Sequence, residues 1–241
     1  MRFRVKITLF FLAFFVVAGV SGQQFYNSVK PLTTASNTLN YKLTGNQYYF
    51  WPKYMGTVYI RDDWSHANLK LENGDIYEDV YVKLNTLFDE LLVYNERVGS
   101  VITVDKAIID EFELKQGFEP YNLFRKVYID KYPKGYHYVN VLYDGKVKLY
   151  LWHETEIAKT SLYKNPVSGG MLDSEYKQEF NYIIVFPDGS MHKVATKRRP
   201  FLQLFPEQKS TLKRLFRRAG IHFFTNRELI EATKIIEQEI F

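Results

Sequence analysis

The sequence predicts a mainly β protein of the α+β class: an antiparallel β-meander, curled into a partly open barrel or a sandwich, with a two-helix C-terminal appendage. Three observations predict it. Apolar and polar residues alternate along short runs, as in residues 146–152, where Val147, Leu149 and Leu151 face one way and Lys148, Tyr150 and Trp152 the other. Asn73-Gly74, Asp144-Gly145 and Asp188-Gly189 each separate two such runs, and Asn/Asp-Gly is the pair that best tolerates positive φ at both centres of a type I′ hairpin turn. From Pro200 onward the apolar spacing lengthens to that of a helix.

The chain divides into a signal peptide over 1–22, a lead-in over 23–53, the β domain over 54–199 and the helical appendage over 200–241. Arg2, Arg4 and Lys6 form a basic start, residues 7–20 an apolar run, and Val20-Ser21-Gly22 a small-residue cleavage site before Gln23. That is the pattern of a secretory signal. The run falls short of the roughly 20 residues a spanning helix needs. The expected location is therefore the periplasm or outer envelope, as an exported and not a transmembrane protein. The chain's 241 residues with 46% hydrophobic and 24% charged content suit one folded domain with a small addition. With no cysteine, disulfides, Cys-ligated zinc and thiol catalysis are all excluded.

The lead-in ends in four consecutive aromatics, Tyr48, Tyr49, Phe50 and Trp51. They read either as a stacking platform for a sugar or lipid or as a plug that covers the sheet. Residues 56–60 form the expected first strand, and 61–66 a polar loop around Trp64. Residues 69–72 and 75–84 make the first hairpin, followed by strands at 90–94 and 101–104. Residues 108–114 and 124–129 read as strands or short helical turns. After the Pro133-Lys134-Gly135 turn, 136–143 and 146–152 make the clearest hairpin. Residues 155–174, with Pro166, Gly169 and Gly170, read as a long loop. Strands at 180–186 and 190–196 close the sheet. In the tail, Leu212, Leu215, Phe216 and Ala219 follow helical spacing after Pro206, and Gly220 fits the stop. Thr225 with Glu228 forms a capping-box pair at a second helix. Leu229, Ala232, Ile236 and Ile240 make its apolar stripe.

Catalytic signatures are sparse. His66, His137, His153, His192 and His222 show no metal-binding spacing, and His153 and Glu154 point to opposite faces of a strand. Asp62-Asp63 and Asp110-Glu111 are paired acids of the kind glycoside hydrolysis uses, without a further signature. Neither a Gly-x-Ser-x-Gly elbow nor a phosphate-cradling glycine loop occurs. No catalytic residue, metal ligand or cofactor is assigned.

The candidate ligand-facing residues are the aromatics Tyr49, Trp51, Trp64, Tyr150 and Trp152. The candidate contacts for an anionic surface are Arg198, Arg199, Lys213, Arg214, Arg217 and Arg218, because residues 193–227 hold ten basic residues and one acid, Glu207. A helix with such residues beside Phe201, Phe205, Phe216, Phe223 and Phe224 either lies on an anionic membrane, a peripheral contact, or packs those rings into a core. Cleavage removes three of the formal +5 charges, leaving about +2, and export argues against nucleic acid.

Several stretches carry a family resemblance: Gly56-Thr57-Val58, the Asn73-Gly74 turn, the hairpin from Gly135-Tyr136 to Asp144-Gly145-Lys146, Phe186-Pro187-Asp188-Gly189, and Leu204-Phe205-Pro206-Glu207-Gln208-Lys209. In these the chain resembles exported proteins of Bacteroidota-type bacteria that have no established activity. The resemblance implies an envelope location and carries over no catalytic residue. The expected function is a non-catalytic binding or assembly role in the envelope, with another envelope protein or a hydrophobic ligand as partner. Two alternatives are a carrier of a hydrophobic ligand such as a lipid, and a hydrolase using the loop acids Asp62, Asp63 or Glu154.

Overall fold

The computed structural model describes residues 45–48, 56–95, 99–117, 120, 122–131, 133–163 and 171–241, all within the unit Thr34–Phe241. The signal-peptide reading, most of the lead-in, Tyr49 and Trp51 lie outside the described residues. Eleven strands form one antiparallel sheet: β1 Gly45–Gln47, β2 Ser65–Leu71, β3 Ile76–Asn85, β4 Glu90–Asn95, β5 Ser100–Val104, β6 Ile109–Leu114, β7 Leu123–Ile129, β8 Gly135–Asp144, β9 Lys148–Tyr163, β10 Met171–Val185 and β11 Met191–Val194. Their order is β1-β5-β4-β3-β2-β6-β7-β8-β9-β10-β11. Two meanders thus share the β2–β6 pairing, and the sheet is open, with β1 and β11 at its edges.

Two hairpin turns use the same device, which differs from the type I′ turn expected at Asn73-Gly74 and agrees with Pro187 altering the turn type at Asp188-Gly189. Gly74 and Gly189 alone adopt positive φ, +84° and +82°, while Asn73 and Asp188 do not. The Gly74 amide donates to the Leu71 carbonyl and the Leu71 amide to the Asp75 carbonyl, both at 2.9 Å. Gly189 and Phe186 repeat these bonds with the Phe186 and Ser190 carbonyls at 2.9 and 3.0 Å. Asn73 Oδ1 and Asp188 Oδ1 each accept the amide two residues on. This is the three-residue loop that ends in a left-handed glycine bulge. Pro187 suits its first position.

Four further expectations are corrected. Residues 56–60 make only one bridge, Tyr59 with Asn85, beside hydrogen bonds from Ile60 to Leu84 and from Thr86 to Val58. Residues 155–163 and 171–174 are not a loop: β9 and β10 pair in register out to Tyr163–Met171, with one bulge at Glu175/Tyr176. Ser65 and His66 belong to β2 and not to the preceding loop. The tail holds three helices, α1 Arg198–Gln203, α2 Lys209–Arg218 and α3 Asn226–Ile240. Pro200, where the helical spacing was expected to begin, sits in the first turn of α1, where no intrahelical amide is needed.

Two apolar clusters hold the sheet and its helical layer. The first gathers Leu69, Val82, Leu91, Ile102, Phe112, Phe124 and Tyr138 from β2 through β8, with the Phe112 and Phe124 rings stacked at 5.0 Å and Tyr138 edge-on to Phe112 at 5.4 Å. Side chains from seven strands meet there, so this half of the sheet curls around its own core. The second joins one face of β8–β11, through Leu142, Leu149, Leu151, Ile184 and Val194, to Phe201, Phe205, Leu212, Phe216, Leu229 and Ile236 of the helical segment. Glu237 of α3 reaches the β8–β9 turn, where its Oε2 accepts the Val147 amide at 2.9 Å and its Oε1 the Tyr143 hydroxyl at 3.3 Å. A Cβ on Gly145 would overlap that carboxylate.

Polar ties cross the curl. Thr86 and Thr155 join through their hydroxyls at 2.7 Å, and the Thr155 amide donates to the Thr86 carbonyl. Asp89, buried and at φ +54°, accepts from Lys106 Nζ at 2.7 Å, from His137 Nδ1 at 3.0 Å and from the Tyr138 amide at 3.3 Å. Asp tolerates this left-handed backbone better than most residues.

Candidate functional site

The feature that stands out on the described surface is the basic face of the helical layer. Five of the ten residues of α2 are basic, Lys209, Lys213, Arg214, Arg217 and Arg218, and none is acidic. Helical spacing puts like charges side by side at 209/213, 213/217 and 214/218. Its apolar side, Leu212 and Phe216, is wholly buried. The helix cannot lie with those residues in a bilayer, because they already form the core. What it presents outward is charge.

All five basic residues are exposed, as are Lys193, Lys197, Arg199 and Arg227. None of these nine takes part in an ion pair among the described residues. The sheet behaves differently. Lys70 pairs with Asp110 and Glu111, and Arg125 with Glu111 and Asp144. Lys106 pairs with Asp89, Lys115 with Asp79, and Lys126 with Glu72. Much of the charge on the sheet is thus matched across strands, whereas the five basic residues of α2 are matched by no acid among the described residues.

Arg198 is the member of the expected basic set that the structure sets apart. It is half-buried and donates through Nη2 to the Ile221 carbonyl at 2.8 Å, so it braces the loop between α2 and α3. That loop begins where Gly220, at φ +67°, ends α2. The Gly220 amide donates to the Arg217 carbonyl and the Ile221 amide to the Phe216 carbonyl, a Schellman stop with its usual apolar contact between Ile221 and Phe216. The residues then alternate: Ile221 and Phe223 are buried, His222 and Phe224 exposed. Phe223 lies at φ +68° with its ring 5.0 Å from Phe201 and 5.4 Å from Phe216. Glu228 clamps the loop by accepting the amides of His222 and Phe224, both at 2.9 Å, and of Thr225 at 3.1 Å. Those amides, that of His222 foremost, hold its carboxyl below the usual carboxylate range. The capping box expected at Thr225 and Glu228 is present.

Of the expected ligand-facing aromatics, Trp64, Tyr150 and Trp152 are among the described residues, and they do not share one surface. Tyr150 and Trp152 are 4% exposed and pack with Val139, Val141, Ile183 and Val185 on the β8–β10 face away from the helices. Trp152 also packs against His137 at 4.6 Å and borders a groove of only about 30 Å³ with Ile129, Ile183 and Met191. Trp64 belongs elsewhere, with Lys83 Nζ 5.9 Å from its ring and 4.2 Å from that of Tyr59. Of the acids considered for hydrolysis, Glu154 accepts from Asn181 at 2.9 Å, while Asp62 meets Lys83 through its backbone carbonyl. No three His, Cys, Asp or Glu side chains gather as a metal set among the described residues. No helix among the described residues is long and apolar enough to cross a membrane.

Comparison with protein-family models, with curated proteins and with solved structures gave no match. The functional reading therefore rests on the geometry of this chain.

Proposed function

We propose that this chain is a non-catalytic binding protein of the bacterial cell envelope, whose curled sheet is a scaffold for a helical layer that presents a cationic face to an anionic partner. The observation that carries the reading is the concentration of five exposed cations on α2, none of them in an ion pair among the described residues. Side-by-side like charges weaken a helix by a few tenths of a kcal/mol per pair, so α2 forgoes stability that one or two acids would restore. Arg217 and Arg218 do complement the carbonyl end of the helix; Lys209, Lys213 and Arg214 have no such role. The basic start and apolar run at the N-terminus, and the resemblance to exported proteins, support the envelope location.

The carrier alternative has little support among the described residues. Ligand sites run to about 300–1,000 Å³, and the two best-formed cavities measure about 30 and 10 Å³.

The test uses heparin as a soluble polyanion and the protein isolated from its own envelope. Binding by titration calorimetry should weaken steadily with salt, because each neutralised cation releases or takes up counterions. Absence of binding at low salt contradicts the reading.

A further inference from the structure

We propose that the α2–α3 loop is a membrane anchor in which Phe224 enters the interfacial region of an anionic lipid bilayer while the basic face of α2 holds the surface. The inference rests on the cationic-face reading and names its partner. Phe224 is 84% exposed, the most exposed large apolar side chain described. It does not hang from a loose segment. Ile221 and Phe223 anchor the residues to either side of His222 and before Phe224 in the core. Glu228 and Arg198 fix the loop backbone, and Phe223 is held in a left-handed conformation that a bulky residue rarely adopts. Together these give Phe224 one outward pose, so little ordering remains to be done on binding. His222 lies parallel to it, 6.1 Å between ring centres.

Charge complementarity favours a bilayer over other occupants. Arg217 and Arg218 immediately precede the loop in the chain and Arg227 follows it, all exposed. An exposed aromatic ring on a loop flanked in the chain by exposed cations, with the one acid beside it, Glu228, engaged by the loop amides, matches a surface of anionic headgroups over acyl chains, where apolar burial and electrostatic attraction add. A soluble polyanion would use the cations and leave the ring in water.

The experiment compares vesicles of equal parts phosphatidylglycerol and phosphatidylcholine with vesicles of phosphatidylcholine alone, using protein isolated from its envelope. All variants carry the same N-terminus, so differences between them report the tail. Because Phe224 touches the core so little, Phe224→Ala should fold as the parent does. The expected result is binding to the anionic vesicles only, weakened about tenfold by Phe224→Ala with heparin affinity unchanged. Phe224→Trp should add a blue-shifted emission on the anionic vesicles and none with heparin. Equal vesicle binding by Phe224→Ala, or heparin binding without vesicle binding, overturns the anchor and leaves the cationic-face reading standing. Binding to neither overturns both.

Discussion

At the scale of single residues, two buried groups carry most of the polar consequence. Asp89 joins the β3–β4 turn to β8 by neutralising Lys106 and holding His137, and no other acid pairs with Lys106 among the described residues. Asp89→Ala leaves Lys106 only the Tyr136 carbonyl and His137 only the Pro133 carbonyl, and should destabilise by about 3 kcal/mol; Asp89→Asn keeps an acceptor and a residue tolerant of the left-handed backbone, and should cost clearly less. Chemical denaturation of the two variants checks this, and equal losses would contradict the charge-based account. His153 is the second. Burial beside Phe124 and Phe180 pushes its imidazole down to about 4, against about 6.5 in an unfolded chain. Between those values the unfolded chain takes up a proton that the folded one refuses. Stability should therefore fall as pH drops from about 6.5 to 4, by up to about 3 kcal/mol. His153→Leu should flatten that slope, and an unchanged slope would count against it. Carboxylates held low, such as Asp79 beside Lys115 and His66, lose their contribution only beneath about pH 4, so the windows separate. The sequence showed His153 on a strand and pointed away from Glu154; it did not show the rings that bury it, because those come from β7 and β10.

At the scale of elements, what was legible depended on how local the signal is. The hairpins around Asn73-Gly74 and Asp188-Gly189, the Gly220 stop and the Thr225 cap were all readable, since each is decided within about five residues. The turn type was not, because the choice between two- and three-residue loops is made by strand register. The outer halves of β9 and β10 were read as loop on the strength of Pro166, Gly169 and Gly170, residues that fall between the two strands. In the tail, the five basic residues of α2 were readable, but not that Phe223 turns inward and Phe224 outward. The alternation from Ile221 to Phe224, bracketed by Gly220 and Thr225, is the pattern that marks it. One prediction belongs to α2 itself. Lys213→Glu removes two like-charge neighbours and sets an acid four residues before Arg217. It should leave thermal stability equal or raise it by about 0.5 kcal/mol while weakening heparin binding. A clear fall in melting temperature would reveal a structural partner for Lys213 and undercut the functional reading of the face.

At the scale of the whole described molecule, the sheet and the helical layer divide the work. The sheet pairs charges across neighbouring strands, as at Arg125 with Glu111 and Asp144, and its curl encloses an apolar core. The helical layer spends its apolar residues against β8–β11 and leaves the five basic residues of α2 without an ion pair among the described residues. Composition alone could not show this division: a formal net charge of +5 on 241 residues is unremarkable until its placement is known. The central claim is that this placement, not the net charge, binds the partner. It is tested most directly by comparing two variants of equal net charge. Lys213→Glu with Arg214→Glu reverses the α2 face; Lys131→Glu with Lys134→Glu reverses two exposed lysines of the β7–β8 turn. Heparin affinity measured side by side should fall at least tenfold in the first variant and change little in the second. Equal losses in the two would contradict the account, since the molecule would then be answering to its total charge and not to the face of α2.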